Sequence, residues 1–330
     1  MNNIAILGAT TNIGRKVINT LNEFGYSAKN IIALDNHELE GHTISFGDKI
    51  LEIECLQHFD FSEADIVVST LESSELSKFY CEKAKNCGCI IIDTSLAFKY
   101  QNNPLIIADL NLNEINNNQI ITIPNSITLQ TAIAIEPIRK LFDIERVVMS
   151  TYQAVSNNGK EAMDELFNST KKVFENSFTE PKEFKRPIAF NVIPQIGEFV
   201  DENEYINEYE IREDINNIYN NKIKSSITCV NVPVFNGNAI SLNIECKNKI
   251  DLELLKEEYE ISDNIMIIDN PQNYSYITPK ECNLDKNIFI SRIRIDKSVK
   301  NGINIWIVAD NLTISALNIV KILDFIQDNK

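Results

Sequence analysis

Asn3-Ile4-Ala5-Ile6-Leu7-Gly8-Ala9-Thr10-Thr11-Asn12-Ile13-Gly14 stands near the start of the chain. The apolar run 3–8 ends in glycine and predicts a short buried strand. A helix should follow, with Ile13, Val17, Leu21 and Phe24 on one face and Gly25 as its stop. A strand, a glycine turn and an amphipathic helix in that order are the opening unit of a parallel, doubly wound α/β sheet.

Working outward, Ile31 to Leu34, Asp65 to Ser69, Ile90 to Asp93, Ile106 to Ala108 and Ile120 to Ile123 read as further strands. A helical stretch lies between the third and fourth of the strands so far, from about Glu75 to Lys85. The texture changes after about residue 145. Val147 to Gln153 predicts a longer strand, and Gly159 to Phe174 an amphipathic helix carrying Ala162, Leu166, Val173 and Phe174. Residues 178–225 read as polar and irregular. Thr228 to Phe235, Ile240 to Cys246, Ile288 to Ile295 and Ile303 to Ala309 then predict several strands in succession, and Leu317 to Ile326 a last apolar helix suited to packing on the first domain. The expectation is a Rossmann-type N-terminal domain (1–126 with 313–330) and an α+β second domain with an open mixed sheet (127–312).

The 330 residues carry a formal net charge of -16, which argues against nucleic acid and anionic membranes as partners. Met1-Asn2-Asn3-Ile4 runs straight into the first strand, with no basic leader and no apolar run of about 18 residues, which points to a cytoplasmic chain. The seven cysteines are odd in number and sit mostly in apolar segments, so reduced, buried thiols are expected and no metal. The three histidines, His37, His42 and His58, all precede residue 59. Any general base in the second half is therefore not histidine.

The turn Gly8, Thr10, Thr11, Asn12, Ile13, Gly14 has the position of a dinucleotide-binding loop but lacks the middle glycine, replaced by Thr11. A β-branched residue there restricts φ and adds bulk, an expected cost on the order of 1–3 kcal/mol that weakens binding without abolishing it. The alternative is that Gly8 and Gly14 only serve a tight strand–helix junction. After the second strand come Asp35, Glu38 and Glu40, where the 2′-phosphate of NADP would want a cation. If a dinucleotide binds, the ribose hydroxyls of NAD suit Asp35 or Glu38 better.

Pro124-Asn125-Ser126-Ile127-Thr128-Leu129-Gln130 follows a strand and opens a helical pattern. A thiolate there would gain from the helix dipole, whereas a serine hydroxyl needs a neighbouring base. Ser150-Thr151-Tyr152-Gln153-Ala154-Val155-Ser156, Ala189-Phe190-Asn191-Val192-Ile193-Pro194, Val232-Pro233-Val234-Phe235 and Trp306-Ile307-Val308-Ala309-Asp310-Asn311-Leu312 complete a set of motifs. With these the chain resembles the aspartate-semialdehyde dehydrogenase family over nearly its whole length.

That resemblance implies reductive dephosphorylation of aspartyl 4-phosphate with NADPH, a cysteine nucleophile, a proton-handling histidine, cationic substrate-binding residues, and a dimer or tetramer built through the second domain. Carried over, the nucleophile falls on Ser126, the acid/base residue on Asn238, and the arginine seven residues before it on Asn231. The glutamate and lysine of the substrate-binding helix fall near Asp214 and Asn217, and the phosphate-binding arginine falls on Lys99. A glycine pair falls on Leu71-Glu72. Asn125 and Gln153 are retained. The resemblance therefore implies a homologue with its reaction lost or strongly impaired, one that binds another protein or a regulatory ligand as a homodimer, a homotetramer or a heterodimer with a paralogue. The competing readings are a working aspartate-semialdehyde dehydrogenase and an altered NAD-dependent dehydrogenase acting on a different aldehyde or acyl substrate.

Overall fold

The computed structural model describes residues 2–116, 118–177, 180–200 and 204–329. It divides into two compact units, residues 1–125 with 315–330, and residues 126–314.

In the first unit β1 (Ile4–Leu7), β2 (Ile31–Asp35), β3 (Thr43–Phe46), β4 (Lys49–Cys55), β5 (Ile66–Ser69), β6 (Ile90–Asp93) and β7 (Ile120–Thr122) form one sheet in the order β3-β4-β2-β1-β5-β6-β7. Every pairing is parallel except the β3–β4 hairpin. β1 and β5 are buried at every residue, as strands covered on both faces must be. α1 (Asn12–Glu23) and α2 (Ser74–Asn86) are the crossovers. Residues 315–328 of the last helix, α8 (Asn311–Asp328), bring Ala316, Ile319, Val320, Leu323 and Ile326 into the same core as Ile4, Ile6, Val17 and Leu21. Asp324 there accepts from the Tyr26 hydroxyl at 2.6 Å.

In the second unit β8 (Ile144–Gln153), β9 (Lys224–Asn231), β10 (Asn238–Cys246), β11 (Ile265–Ile267), β12 (Ile288–Asp296) and β13 (Gly302–Ala309) form a mixed sheet, β11-β12-β13-β10-β8-β9. The pairings β8–β9 and β11–β12 are parallel and the rest antiparallel. α4 (Ser126–Leu141), α5 (Gly159–Phe174), α6 (Ile206–Ile218) and α7 (Leu252–Glu260) complete it. Pro137 lies inside α4, and the buried phenols of Tyr219 and Tyr259 donate to its carbonyls at Ala132 (3.3 Å) and Ala134 (2.9 Å).

Several expectations are corrected. Ile106 to Ala108 is not a strand: Leu105 makes a single bridge to Thr122, and α3 (Ala108–Asn111) begins at once. The side chains of Asn111 and Asn318 take the Ile107 and Ala108 N–H groups that a ladder would need. Phe24 caps α1 and is exposed, as are Val173 and Phe174 at the end of α5. Val232 to Phe235 lies beyond the end of β9. The stretch 178–225 contains α6, which buries Ile211 and Ile215 one turn apart, while 178–179 and 201–203 within it lie outside the described residues. Among the described residues no helix is long and apolar enough to cross a membrane.

Candidate functional site

The loop between β1 and α1 belongs to the first unit. Gly8 has φ +74°, and a Cβ on Gly14 would lie 2.2 Å from the Gly8 carbonyl oxygen, so both positions need glycine. Thr11 caps α1: its hydroxyl accepts from the Gly14 N–H (3.0 Å) and donates to the Gly8 carbonyl (2.8 Å). Its φ of -61° carries no strain, so the anticipated φ restriction costs nothing in the backbone. The Thr70 hydroxyl, 3.2 Å from that of Thr11, donates to the Leu7 carbonyl (2.8 Å) and ties the loop to the end of β5. Thr10 donates to Asp35 Oδ2 from its N–H (2.9 Å) and its hydroxyl (2.7 Å), while Asp35 Oδ1 accepts from the Asn36 N–H (2.9 Å). Asn12 is the first residue of α1, Ile13 packs on the core, and Glu38 is exposed after β2.

Lys99, also in the first unit, is buried. Its charge acts on Asp93, whose pKa burial pushes up against the opposing effects of Ser77, Ser95 and Lys99. The hydroxyls of Ser77 (2.7 Å) and Ser95 (2.9 Å) donate to Asp93 Oδ1. Asn125 is the last residue of this unit.

The second unit holds Ser126 at the start of α4. The structure brings it to Asn238, the first residue of β10: Asn238 Nδ2 donates to Ser126 Oγ at 3.2 Å. The Ser126 hydroxyl in turn donates to Asn157 Oδ1 at 3.4 Å, and Asn157 Nδ2 donates to Asn238 Oδ1 at 2.9 Å. Asn311 Nδ2 reaches Asn157 Oδ1 (2.8 Å) and Ser156 Oγ (3.0 Å). Gln153, at the end of β8, accepts from Asn157 Nδ2 (3.4 Å) and donates to Asn207 Oδ1 (2.7 Å).

The named members of this web, Ser126, Gln153, Ser156, Asn157, Asn207, Asn238 and Asn311, are all neutral hydroxyl and amide groups, and none has an atom that takes up a proton near pH 7. Cys229, buried on β9, is no substitute nucleophile: burial pushes its thiol up to about 12, and its N–H is held by Glu208 (2.9 Å). Asn231 stands beside Gln153 in the β8–β9 register and is buried; its Nδ2 donates to the Gln195 carbonyl (3.1 Å), and its Oδ1 has no hydrogen-bond partner. Asp214 is buried and accepts from Thr128 (3.2 Å), while Asn217 is exposed. The α6 residue that joins the web is Asn207. Sequence reasoning missed Asn157, Asn207 and Asn311, since an asparagine in an asparagine-rich chain carries no signal of its own. No group of three or more His, Cys, Asp or Glu among the described residues is placed to hold a metal ion.

Residues 3–122 match the NAD binding domain of semialdehyde dehydrogenases, and residues 135–314 match their dimerisation domain. The chain belongs to the aspartate-semialdehyde dehydrogenase family. It is 40% identical to the aspartate-semialdehyde dehydrogenase of Rickettsia conorii, covering 99% of this chain and 98% of that one. The crystal structure of aspartate semialdehyde dehydrogenase II from Vibrio cholerae is 32% identical, with a TM-score of 0.94 and 99% of each chain covered. The enzyme from Candida albicans, crystallised with NADP, shares the fold at 16% identity and a TM-score of 0.73, over 98% of each chain. The expected family, the Rossmann-type first sheet and the mixed second sheet are all borne out.

Proposed function

We propose that this chain is a non-catalytic member of the aspartate-semialdehyde dehydrogenase family. It dimerises through the 126–314 unit and retains a weakened nucleotide site that takes NAD in preference to NADP. The observation that carries this reading is the hydrogen bond from Asn238 to Ser126. Position 238 offers residue 126 an N–H donor, and the hydroxyl's own proton goes to the carbonyl oxygen of a second amide. Without a base the hydroxyl stays protonated and weakly nucleophilic. Loss of general acid–base catalysis alone costs about 10²–10⁴-fold, and replacement of a thiolate by a hydroxyl adds to that.

Substrate capture is impaired as well. Asn231 is neutral where the family resemblance places an arginine. Lys99 keeps a charge but already faces Asp93, and it lacks the two-pronged geometry of a guanidinium.

The nucleotide preference rests on β2. In a sheet of this order the adenosine half lies at the carboxyl ends of β1 and β2. Asp35 is satisfied there by Thr10 and Asn36, and Glu38 and Glu40 follow on the surface. That acidic edge accepts ribose hydroxyls and repels a 2′-phosphate.

The experiment is a steady-state assay with aspartate semialdehyde, phosphate and either NAD or NADP. No turnover above background is expected. Turnover near ~1 s⁻¹, within the ordinary range of enzymes, overturns the reading.

A further inference from the structure

The donors and acceptors around Ser126 are not free to reverse. The Gly237 N–H, which can only donate, points at Asn311 Oδ1 (3.1 Å), so the Asn311 amide nitrogen faces Asn157. The Ala154 N–H points at Asn238 Oδ1 (3.0 Å), so the Asn238 amide nitrogen faces Ser126. Between them, Asn157 makes four hydrogen bonds: it donates to Asn238 and Gln153 and accepts from Ser126 and Asn311. Four is the full capacity of a carboxamide. Ser126, Asn157 and Asn238 thus form a closed ring in which each group donates to the next, an arrangement whose members polarise one another.

We propose that Asn157 is the positioning residue that, with the Ala154 N–H, fixes the polarity of this ring, so that an amide or a neutral imidazole at 238 presents a proton, not a lone pair, to residue 126. This rests on the non-catalytic reading, and it says why restoring the nucleophile and the imidazole alone leaves the site idle. A neutral imidazole has one N–H and one bare nitrogen. At 238 the nitrogen that replaces Oδ1 faces two N–H donors, from Ala154 and Asn157, and keeps its lone pair there. The proton then sits on the nitrogen facing residue 126, the wrong tautomer for a base. Imidazolium, with N–H on both sides, meets those donors head-on and is disfavoured.

The titratable neighbours do not change this. Asp310, next to the β-ladder partner of Asn238, accepts from the N–H groups of Leu284, Leu312 and Thr313. Burial and nearby carboxylates push the Cys282 thiol, beside Gly237, up to about 12.

The test is nuclear magnetic resonance titration of Asn238→His, whose new imidazole adds to three others in the chain. We expect it to titrate at least one unit below the ordinary value of about 6.5. Adding Asn157→Asp, which sets an acceptor against the ring N–H, should raise it by about two units and move the bare nitrogen toward residue 126. An ordinary pKa in Asn238→His that Asn157→Asp leaves unmoved overturns the proposal.

A second test reads stability and avoids reliance on one variant. Alone, Asn157→Asp places an acceptor against the Asn238 and Gln153 carbonyl oxygens, whereas Asn238→Asp keeps every donor satisfied. Both variants add one negative charge. The first should raise the unfolding equilibrium constant about tenfold or more, the second less than about threefold, and Asn238→His should restore the stability lost in the first. Equal effects of the two aspartates overturn the proposal. Neither readout depends on turnover, so activity in the natural chain would refute the non-catalytic reading while leaving these results to stand on their own.

Discussion

At position 238 an amide and an imidazole differ in the property that residue 126 depends on, the ability to take a proton and hold it. Ser126→Cys alone should therefore yield a thiol that the α4 N-terminus and the Asn238 N–H bring somewhat below the usual value of about 8.5, but far above the range of about 3–4 that a histidine-paired thiolate reaches, measured by the pH dependence of its alkylation. The native thiols offer a further check. Burial pushes Cys81, Cys229 and Cys282 up to about 12, and Cys87 is the exposed cysteine of the seven. A thiol reagent should modify one equivalent rapidly in the folded chain and the rest only on unfolding; fast labelling of Cys229 would show that the β9 thiol is accessible after all. Asp35 makes a third residue-level case. Asp35→Asn removes the anionic acceptor of both Thr10 donors, and chemical denaturation should register a loss of about 1.5–3 kcal/mol.

At the scale of elements, the N-terminus of α8 ties three segments of the second unit together through Asn311, which binds Gly237 ahead of β10 and Ser156 and Asn157 after β8. Asn311→Ala leaves a buried N–H and an amide oxygen short of partners and should cost about 1–3 kcal/mol by the same measurement. The elements that were legible in the sequence are those with a single dominant cause. Continuous apolar runs such as Ile4–Leu7 and the three isoleucines 90–92 are suited to burial on two faces. The β3–β4 hairpin went unread although its residues alternate in and out, because Lys49, Glu52 and Glu54 on its wet face mask the apolar period of a short segment. α6 went unread because its buried apolar residues, Ile211 and Ile215, are only two and lie among asparagines, glutamates and other polar side chains. Positions 126 and 238 were singled out through the family resemblance, and the structure brings the two side chains together. The asparagine that joins them was not, since its role comes from two backbone N–H groups brought close only by the fold.

At the scale of the molecule, the two units separate two questions. The first unit keeps Gly8 and Gly14, the helix cap and an acidic edge after β2, so calorimetry should show NAD binding and NADP binding at least about tenfold more weakly. Stronger NADP binding would remove the role given to Asp35 and Glu38. The second unit keeps the sheet and the match to a dimerisation domain, while the paired side chains of Ser126 and Asn238 are neutral. Sedimentation should accordingly find a dimer.

The direct measurement is a stoichiometric reaction. The chain, at tens of micromolar, is mixed with aspartate semialdehyde, phosphate and NAD or NADP, and reduced nicotinamide is followed for hours by absorbance. The account predicts that no burst appears and that less than one equivalent forms per chain. A burst of one equivalent followed by steady turnover would contradict it, because it would require a working nucleophile and a proton acceptor where Ser126 and Asn238 stand.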